Sequence, residues 1–382
     1  MKVLKELHKF HKIESIGFNL DYTPYALERD RLISQWANDN NITLYQEEDY
    51  PLYNIMDKTT INKNTDNCYL VYTPFKNNCL KMDVKNIDKF SDFKFTKLNL
   101  PSQFNLNDIN DFYTDNPNIN IHGGRSNGLK ILSNIEKWKD YSKKRDYLEY
   151  KTTFLSAHNH FGTVSIREVY YKILLKLGKS NGLINELIWR DFYMNITYYY
   201  PKILQGQISI KKKNQPLKDK YKIIKWSKNN KFYKKWCNGE TGFPIVDAAM
   251  TQLNTTGYMH NRCRMIVACF LCKDLLLDWR LGEKYFATKL VDYDPMSNSG
   301  GWQWSSSVGA DSQPYFRIFN PWAQQIKFDP ECKYIKKWLP ILSECPVNHI
   351  HKWYEYHNNY DVYCKPIVDH DIMRKKALDL YL

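Results

Sequence analysis

SNSGGWQWSSS, Ser297–Ser307, sets two tryptophans one residue apart behind a glycine pair. The glycines predict a tight backbone and the serine run a loop or the start of a helix. Side chains at i and i+2 of a helix point in roughly opposite directions, so Trp302 and Trp304 are expected to serve two different faces. A second stretch, NELIWRDFY (185–193), gives one of those faces a neighbour. Glu186, Trp189, Arg190 and Tyr193 fall at i, i+3, i+4 and i+7, so a helix carries an acid, a base and two aromatics on one side. An aliphatic stripe would mark core there. This mixture fits the wall of a pocket for a flat polar ligand, with an interdomain seam holding an ion pair as the alternative.

The 382-residue chain is long enough for two domains. Its hydrophobic fraction of 43% supports a sizeable core, and 29 Tyr and 11 Trp supply many stacking surfaces. A formal charge of +14 favours a polyanionic partner, although a lysine bias alongside abundant Asn, Ile and Tyr accounts for it equally well. The nine cysteines are scattered, and the pair Cys269–Cys272 lies inside the apolar run MIVACFLC. Buried thiols in a reducing, intracellular compartment are expected, with no metal site. That run is broken by Lys273-Asp274 and is too short to span a bilayer, so no membrane is expected.

Along the chain, a helix VLKELHKF, a strand SIGF (15–18), a helix from Pro24 to Asn40 and a strand ITLYQE (42–47) give a β-α-β rhythm. Residues 84–122 turn polar and weakly periodic, a connector. Beyond Gly123-Gly124 nearly everything reads as helix. In TGYMHNRCRMIVACFLCKDLLLDW, a helix is predicted from Asn261 almost to Trp279, with Arg262 and Arg264 crowding its entry. Such a basic entry suits an anionic ligand, or equally a capped end with surface charge.

Taken together, LSAHNHFGTVSIREVYY (155–171), NELIWRDFY, TGFPIVDAAMTQLNTTGYMHNRCRM (241–265), DWRLGEKYF (278–286), LVDYDPMSNSGGWQWSSSVG (290–309) and PYFRIFNPW (314–322) resemble the DNA photolyase/cryptochrome family. Within it the match is to class I cyclobutane pyrimidine dimer photolyases. The resemblance runs from about Gly123 to Leu342 and weakens after that. Upstream, NLDYTPYALERD (19–30) and VYTPFK (71–76) are similar to the later part of the family's antenna domain. That domain's opening strand and aromatic-Arg motif are missing. The organisation implied is a partial α/β antenna domain at 1–83 with an incomplete Rossmann-like sheet, a connector at 84–122, and a helical FAD-binding domain at 123–382. An incomplete sheet predicts an exposed edge, which a terminal segment or a separate polypeptide would cover.

The resemblance implies FAD as reduced FADH–, and a folate or deazaflavin antenna. It places Tyr141, Thr152, Thr153, Phe154, Leu155 and Ser156 at the phosphates and ribose, and Asp292, Tyr293 and Asp294 beside the flavin, with Arg264 paired to Asp292. Asn298 is implied at flavin N5, where photolyases keep an amide. Trp302, Trp279 and Trp226 resemble the family's electron-carrying chain, running from flavin to surface. Trp304 is implied as the platform for a flipped-out pyrimidine dimer. Glu186, Trp189, Arg190, Tyr193, Asn261 and Met265 are implied around the lesion, and Arg262 and Arg317 on its flanking phosphates. The implied activity is light-driven repair of damaged double-stranded DNA by a monomeric lyase. A cryptochrome-like light sensor, or a fragment inactive without a partner, stand as alternatives.

Overall fold

A computed structural model describes residues 1–87, 112–205, 221 and 224–382. The amphipathic helix α1 (Lys2–His11) precedes β1 (Ser15–Asn19), α2 (Pro24–Asp39) and β2 (Thr43–Glu47). Thr23 caps α2 through its hydroxyl, and Pro24 occupies the first turn, where its missing N–H costs nothing. The two strands pair in parallel from Ser15 opposite Thr43 to Asn19 opposite Glu47, with α2 as the crossover. The β-α-β unit read from the sequence is therefore present, and among the described residues its sheet has these two strands.

Next comes α3 (Tyr72–Cys79), then the helical part: α4 (Arg125–Ser133), α5 (Tyr141–Lys144), α6 (Leu155–His160), α7 (Ile166–Leu177) and α8 (Gly182–Tyr199). After residue 224 follow α9 (Asn230–Asn238), α10 (Pro244–Thr256), α11 (Asn261–Cys269), α12 (Trp279–Lys289), α13 (Pro295–Ser305) and α14 (Pro321–Phe328). The short helices α15 (Lys333–Trp338), α16 (Val347–His351) and α17 (Trp353–Tyr356) lead to α18 (His370–Tyr381). Asn181, Asp278, Asp294, Asn320 and Asp369 each accept a backbone N–H at the start of the helix they precede, filling donors a helix cannot satisfy itself.

One large apolar core joins the two parts of the chain. It holds Leu52, Tyr53, Tyr72, Phe75 and Cys79 together with Ile184, Ile188 and Phe192 of α8 and most of α10 and α11. The joint is also polar. Buried Asp191 of α8 accepts the backbone N–H groups of Leu52 and Tyr53 at 3.1 and 2.9 Å, and Asn195 takes the Thr60 hydroxyl at 2.8 Å. Most of the expected connector, 88–111, lies outside the described residues, as do Lys211–Lys213. The ends of that connector are packed: Val84 and Ile121 are both buried.

Two readings of the sequence need correction. The long helix expected from Asn261 almost to Trp279 ends at Cys269, widens into a π-helical turn over Phe270–Asp274, and breaks at Leu276, whose φ is 54°. Buried Lys273 and Asp274 account for the break. Lys273 Nζ donates to Ser307 Oγ at 3.2 Å and lies 3.4 Å from the Tyr381 ring, and Asp274 takes His370 Nδ1 at 2.6 Å. Second, Gly300-Gly301 is no turn but lies within α13. A Cβ on Gly300 would stand 2.1 Å from the Tyr193 ring, so the glycine there lets α13 and α8 approach closely. The nine cysteines form no disulfides, and eight of them are buried. No described helix is long and apolar enough to cross a membrane.

Candidate active site

Helices α8, α11, α12 and α13, with the α5–α6 region, enclose a cavity of about 500 Å³. Most of the expected ligands converge on it. Tyr141, Thr152, Thr153, Phe154, Leu155 and Ser156 line one wall, and Arg264, Asp292, Asp294, Asn298 and Trp302 another. Glu186, Trp189, Arg190 and Tyr193 face it from α8, Asn261, Arg262 and Met265 from α11, and Trp304 from α13. Four expected residues lie off the cavity: Trp226, Trp279, Tyr293 and Arg317. The Tyr293 hydroxyl turns toward Glu283 Oε1 at 3.5 Å instead. Arg317 is exposed on the surface, hydrogen-bonded to Gln313 at 3.0 Å and next to exposed Phe316.

The charges in the cavity are matched. Arg264 donates from one terminal nitrogen to both Asp292 oxygens at 2.9 and 3.1 Å, while its Nε donates to the Met259 carbonyl at 2.9 Å, so this half-buried cation is fixed in place. Asp294 caps α13 by accepting Ser297 N–H at 2.7 Å and also takes the Tyr50 hydroxyl at 2.7 Å. Burial alone would raise its pKa. The His160 contact, the Arg190 charge and these hydrogen bonds outweigh burial and hold the carboxyl well below the usual range, so Asp294 is anionic.

Asn298 presents a chosen end of its amide. Its NH2 donates to the Glu283 carbonyl and carboxylate at 3.1 and 3.0 Å, and no described residue donates to its oxygen. On a cavity wall, that oxygen is an acceptor ready for a ligand N–H.

Glu186 pairs with Arg145. Burial raises the Glu186 pKa despite the opposing guanidinium. Trp189 is stacked on Tyr72 of α3 at 3.6 Å and 6°, with Phe192 edge-on at 5.6 Å and Tyr193 tilted at 5.7 Å, and it lines the cavity from α8. Two of the expected DNA-contacting arginines are already engaged. Arg262 pairs with Asp146 at 2.7 Å and lies over Phe328. Arg190 lies over the Tyr50 ring at 4.0 Å and donates to the carbonyls of Tyr50 and Asn159 at 2.7 and 3.3 Å.

The three indoles of the expected chain sit on successive links of the fold. Trp302 is buried with its ring against Gly282, where a Cβ would stand 2.0 Å from Cη2. Gly282 lies one turn from buried Trp279 on the same face of α12. Two residues before Trp279, Leu277 bridges in parallel to Ser227, the neighbour of Trp226. Trp226 is half-buried rather than exposed, and its ring meets that of Tyr381 at 6.0 Å. Phe286 and Trp236 flank Trp302 edge-on, with centroids at 5.1 and 6.0 Å.

FAD fits this cavity. The hydroxyls and N–H groups at 152–156 suit phosphates and ribose, the Arg264–Asp292 pair and the Asn298 oxygen suit a flavin edge, and the buried Asn159 Oδ1, another wall atom, has no partner of its own. The sequence reading missed Tyr50, Arg145, Asp146, His160 and Glu283. His160 and Glu283 stood inside motifs given above, and no signal marked the other three.

Comparison with known proteins gives the same direction. Residues 183–382 match the family model described as the FAD binding domain of DNA photolyase, and residues 1–91 match that described as DNA photolyase. The deoxyribodipyrimidine photo-lyase of Buchnera aphidicola subsp. Baizongia pistaciae is 36% identical over 409 aligned positions, covering 98% of this chain and 79% of that protein. The Escherichia coli K12 protein of the same name is 42% identical over 252 positions, 63% of this chain and 52% of the relative. Among solved structures, an archaeal photolyase from Sulfolobus tokodaii with two FAD molecules superposes with a TM-score of 0.84 at 36% identity, covering 99% of this chain and 81% of that one. A Synechocystis cryptochrome superposes with a TM-score of 0.81 at 25% identity, again covering 99% and 81%.

Proposed function

Because this chain belongs to the DNA photolyase family, we propose that it is a FAD-dependent lyase that uses light to reverse cyclobutane pyrimidine dimers in double-stranded DNA. The observation that carries this reading is the meeting, in one cavity, of a flavin-type polar wall with an aromatic wall formed by Trp189 and Trp304. Bound there in its reduced form, FAD supplies the photoexcited electron that the lesion takes up and returns.

The protein's own groups do the rest. Arg264 balances Asp292 so that a negatively charged ligand is tolerated in a buried site. Asn298, its amide turned by Glu283, accepts a ligand N–H without offering a labile proton. Trp304 and Trp189 pack against a base taken out of the duplex, and Asn261 and Met265 close the remaining side. Protonated Glu186 donates to a pyrimidine carbonyl as charge builds on it. Arg145, Arg262 and Arg317 meet the flanking phosphates, the first two after exchanging their carboxylate partners. The indoles of Trp302, Trp279 and Trp226 return electrons to an oxidised cofactor from the surface.

The test is direct. Protein loaded with FAD, reduced with dithionite and mixed with an oligonucleotide carrying one thymine dimer should restore absorbance at 260 nm under blue light and not in the dark. A protein that holds reduced FAD, binds the oligonucleotide and leaves the dimer intact under light would refute the proposal.

A further inference from the structure

We propose that Tyr50, which follows β2 in the N-terminal part of the chain, is a positioning residue of the cofactor site, holding Asp294 in the orientation the cavity needs. The proposal rests on the FAD reading above and goes one residue beyond it. Tyr50 sits 244 positions from Asp294 in the sequence, yet its hydroxyl donates to Asp294 Oδ2 at 2.7 Å. The same hydroxyl lies 2.8 Å from His160 Nδ1. A phenol has one proton, and Asp294 takes it. His160 must then donate through Nδ1, so the bonds run in one direction: His160 N–H to Tyr50 oxygen, Tyr50 O–H to Asp294.

The other carboxylate oxygen, Oδ1, accepts Ser297 N–H at the start of α13. Both oxygens are therefore committed, and with them the entry of the helix that carries Asn298, Trp302 and Trp304. Besides Tyr50, the charged or titratable groups facing Asp294 are His160 at 3.3 Å, Arg190 and Tyr293.

Tyr50 itself is well held. Arg190 covers its ring and donates to its carbonyl. On either side, Arg167 of α7 pairs with Asp49 and donates to the Glu48 carbonyl at 2.8 Å, while Asp191 takes Leu52 and Tyr53. A side chain clamped from three helices and directed at one buried carboxylate is built to impose a geometry. Removing the hydroxyl leaves a buried anion one donor short, which disfavours the charged form and frees its rotamer.

The experiment titrates FAD into cofactor-free protein, followed by flavin fluorescence, from pH 8 down to about pH 2, because the Asp294 carboxyl is held well below the usual carboxylate range. The variants are Tyr50→Phe, Asp294→Asn, their double mutant, and Tyr22→Phe. Tyr22 is the control because its hydroxyl fastens the same segment through Glu48 at 2.5 Å without touching the cavity. Tyr50→Phe should weaken FAD binding roughly ten-fold at pH 7. It should also move the acid limb of binding to higher pH, because an Asp294 with fewer donors protonates earlier as pH falls. Tyr22→Phe should leave that limb in place, and Tyr50→Phe should add little in the Asp294→Asn background. Equal FAD affinity and an unmoved limb would overturn the proposal, as would additive losses in the double mutant or the same limb shift in Tyr22→Phe. A wild-type protein that binds no FAD would refute the photolyase reading instead.

Discussion

Substituting Gly282 by alanine tests the path from Trp302 to Trp279 at its narrowest point. A Cβ built there stands 2.0, 2.4 and 2.6 Å from Cη2, Cζ3 and Cζ2 of Trp302. Ordinary carbon contact needs about 3.5 Å, so the indole must retreat by about 1.5 Å. It is 2% exposed and flanked by Phe286 and Trp236, so nothing yields easily. With the indole fixed on both sides, overpacking costs about 3 kcal/mol, the upper end of the usual range, and the helical preference of alanine over glycine returns about 1 kcal/mol. A net loss of about 2 kcal/mol is expected in urea unfolding. The three atoms struck all belong to the benzo ring, which phenylalanine lacks. In a Trp302→Phe background the same substitution should therefore be neutral or stabilising by up to about 1 kcal/mol, a coupling of roughly 3 kcal/mol between the sites. Equal costs for Gly282→Ala in both backgrounds would show that the two residues do not touch as described.

Trp302→Phe should abolish photoreduction of oxidised FAD and spare repair by flavin reduced beforehand, measured by flavin absorbance and dimer loss in one sample; photoreduction at the wild-type rate would remove Trp302 from the path. Trp304→Ala should weaken binding to dimer-containing duplex about ten-fold, a stacked base being worth roughly 1–3 kcal/mol, and leave undamaged duplex nearly unaffected. Arg317→Ala should instead weaken both duplexes and flatten the salt dependence in filter binding, because a phosphate contact releases counterions whatever the base. The Glu186 carboxyl is raised by burial and held back by Arg145, so removing the cation in Arg145→Leu raises it further. Lesion affinity that depends on protonated Glu186 falls as pH rises through this pKa, and the fall should come at higher pH in the variant; a limb that stays or moves down refutes the assignment.

The sequence disclosed those parts of the site that lie within single helices. The α8 face of Glu186, Trp189, Arg190 and Tyr193 follows from helical spacing alone, whereas Trp302 and Trp304, expected on two different faces, both line the one cavity. Partners across elements were hidden, because no local pattern ties Asp146 to Arg262, Glu283 to Asn298 or Tyr50 to Asp294. The break after Cys269 was hidden for a related reason. CFLCKDLLL reads as one continuing helix, and what ends it is the burial of Lys273 and Asp274 against Ser307, Tyr381 and His370, groups 34 to 108 positions away by the numbering. Glycine misled in α13, where local propensity reads a turn and the packing of Tyr193 calls for the absence of a side chain inside a helix.

The carboxylate of Asp191 reaches back to Leu52 and Tyr53 across 139 and 138 residues, and Asp294 reaches back to Tyr50 across 244. A chain made from its N-terminus therefore leaves the ribosome with its α/β segment unfastened until α8 emerges, and with its cofactor cavity unwalled until α13 does. Such long loops close late, and apolar surface stays open meanwhile. FAD thus arrives as the last piece and cannot template the early stages of folding. Nascent chains stalled before residue 295 should not retain it, and cells short of flavin should accumulate a protein that is already folded and waiting.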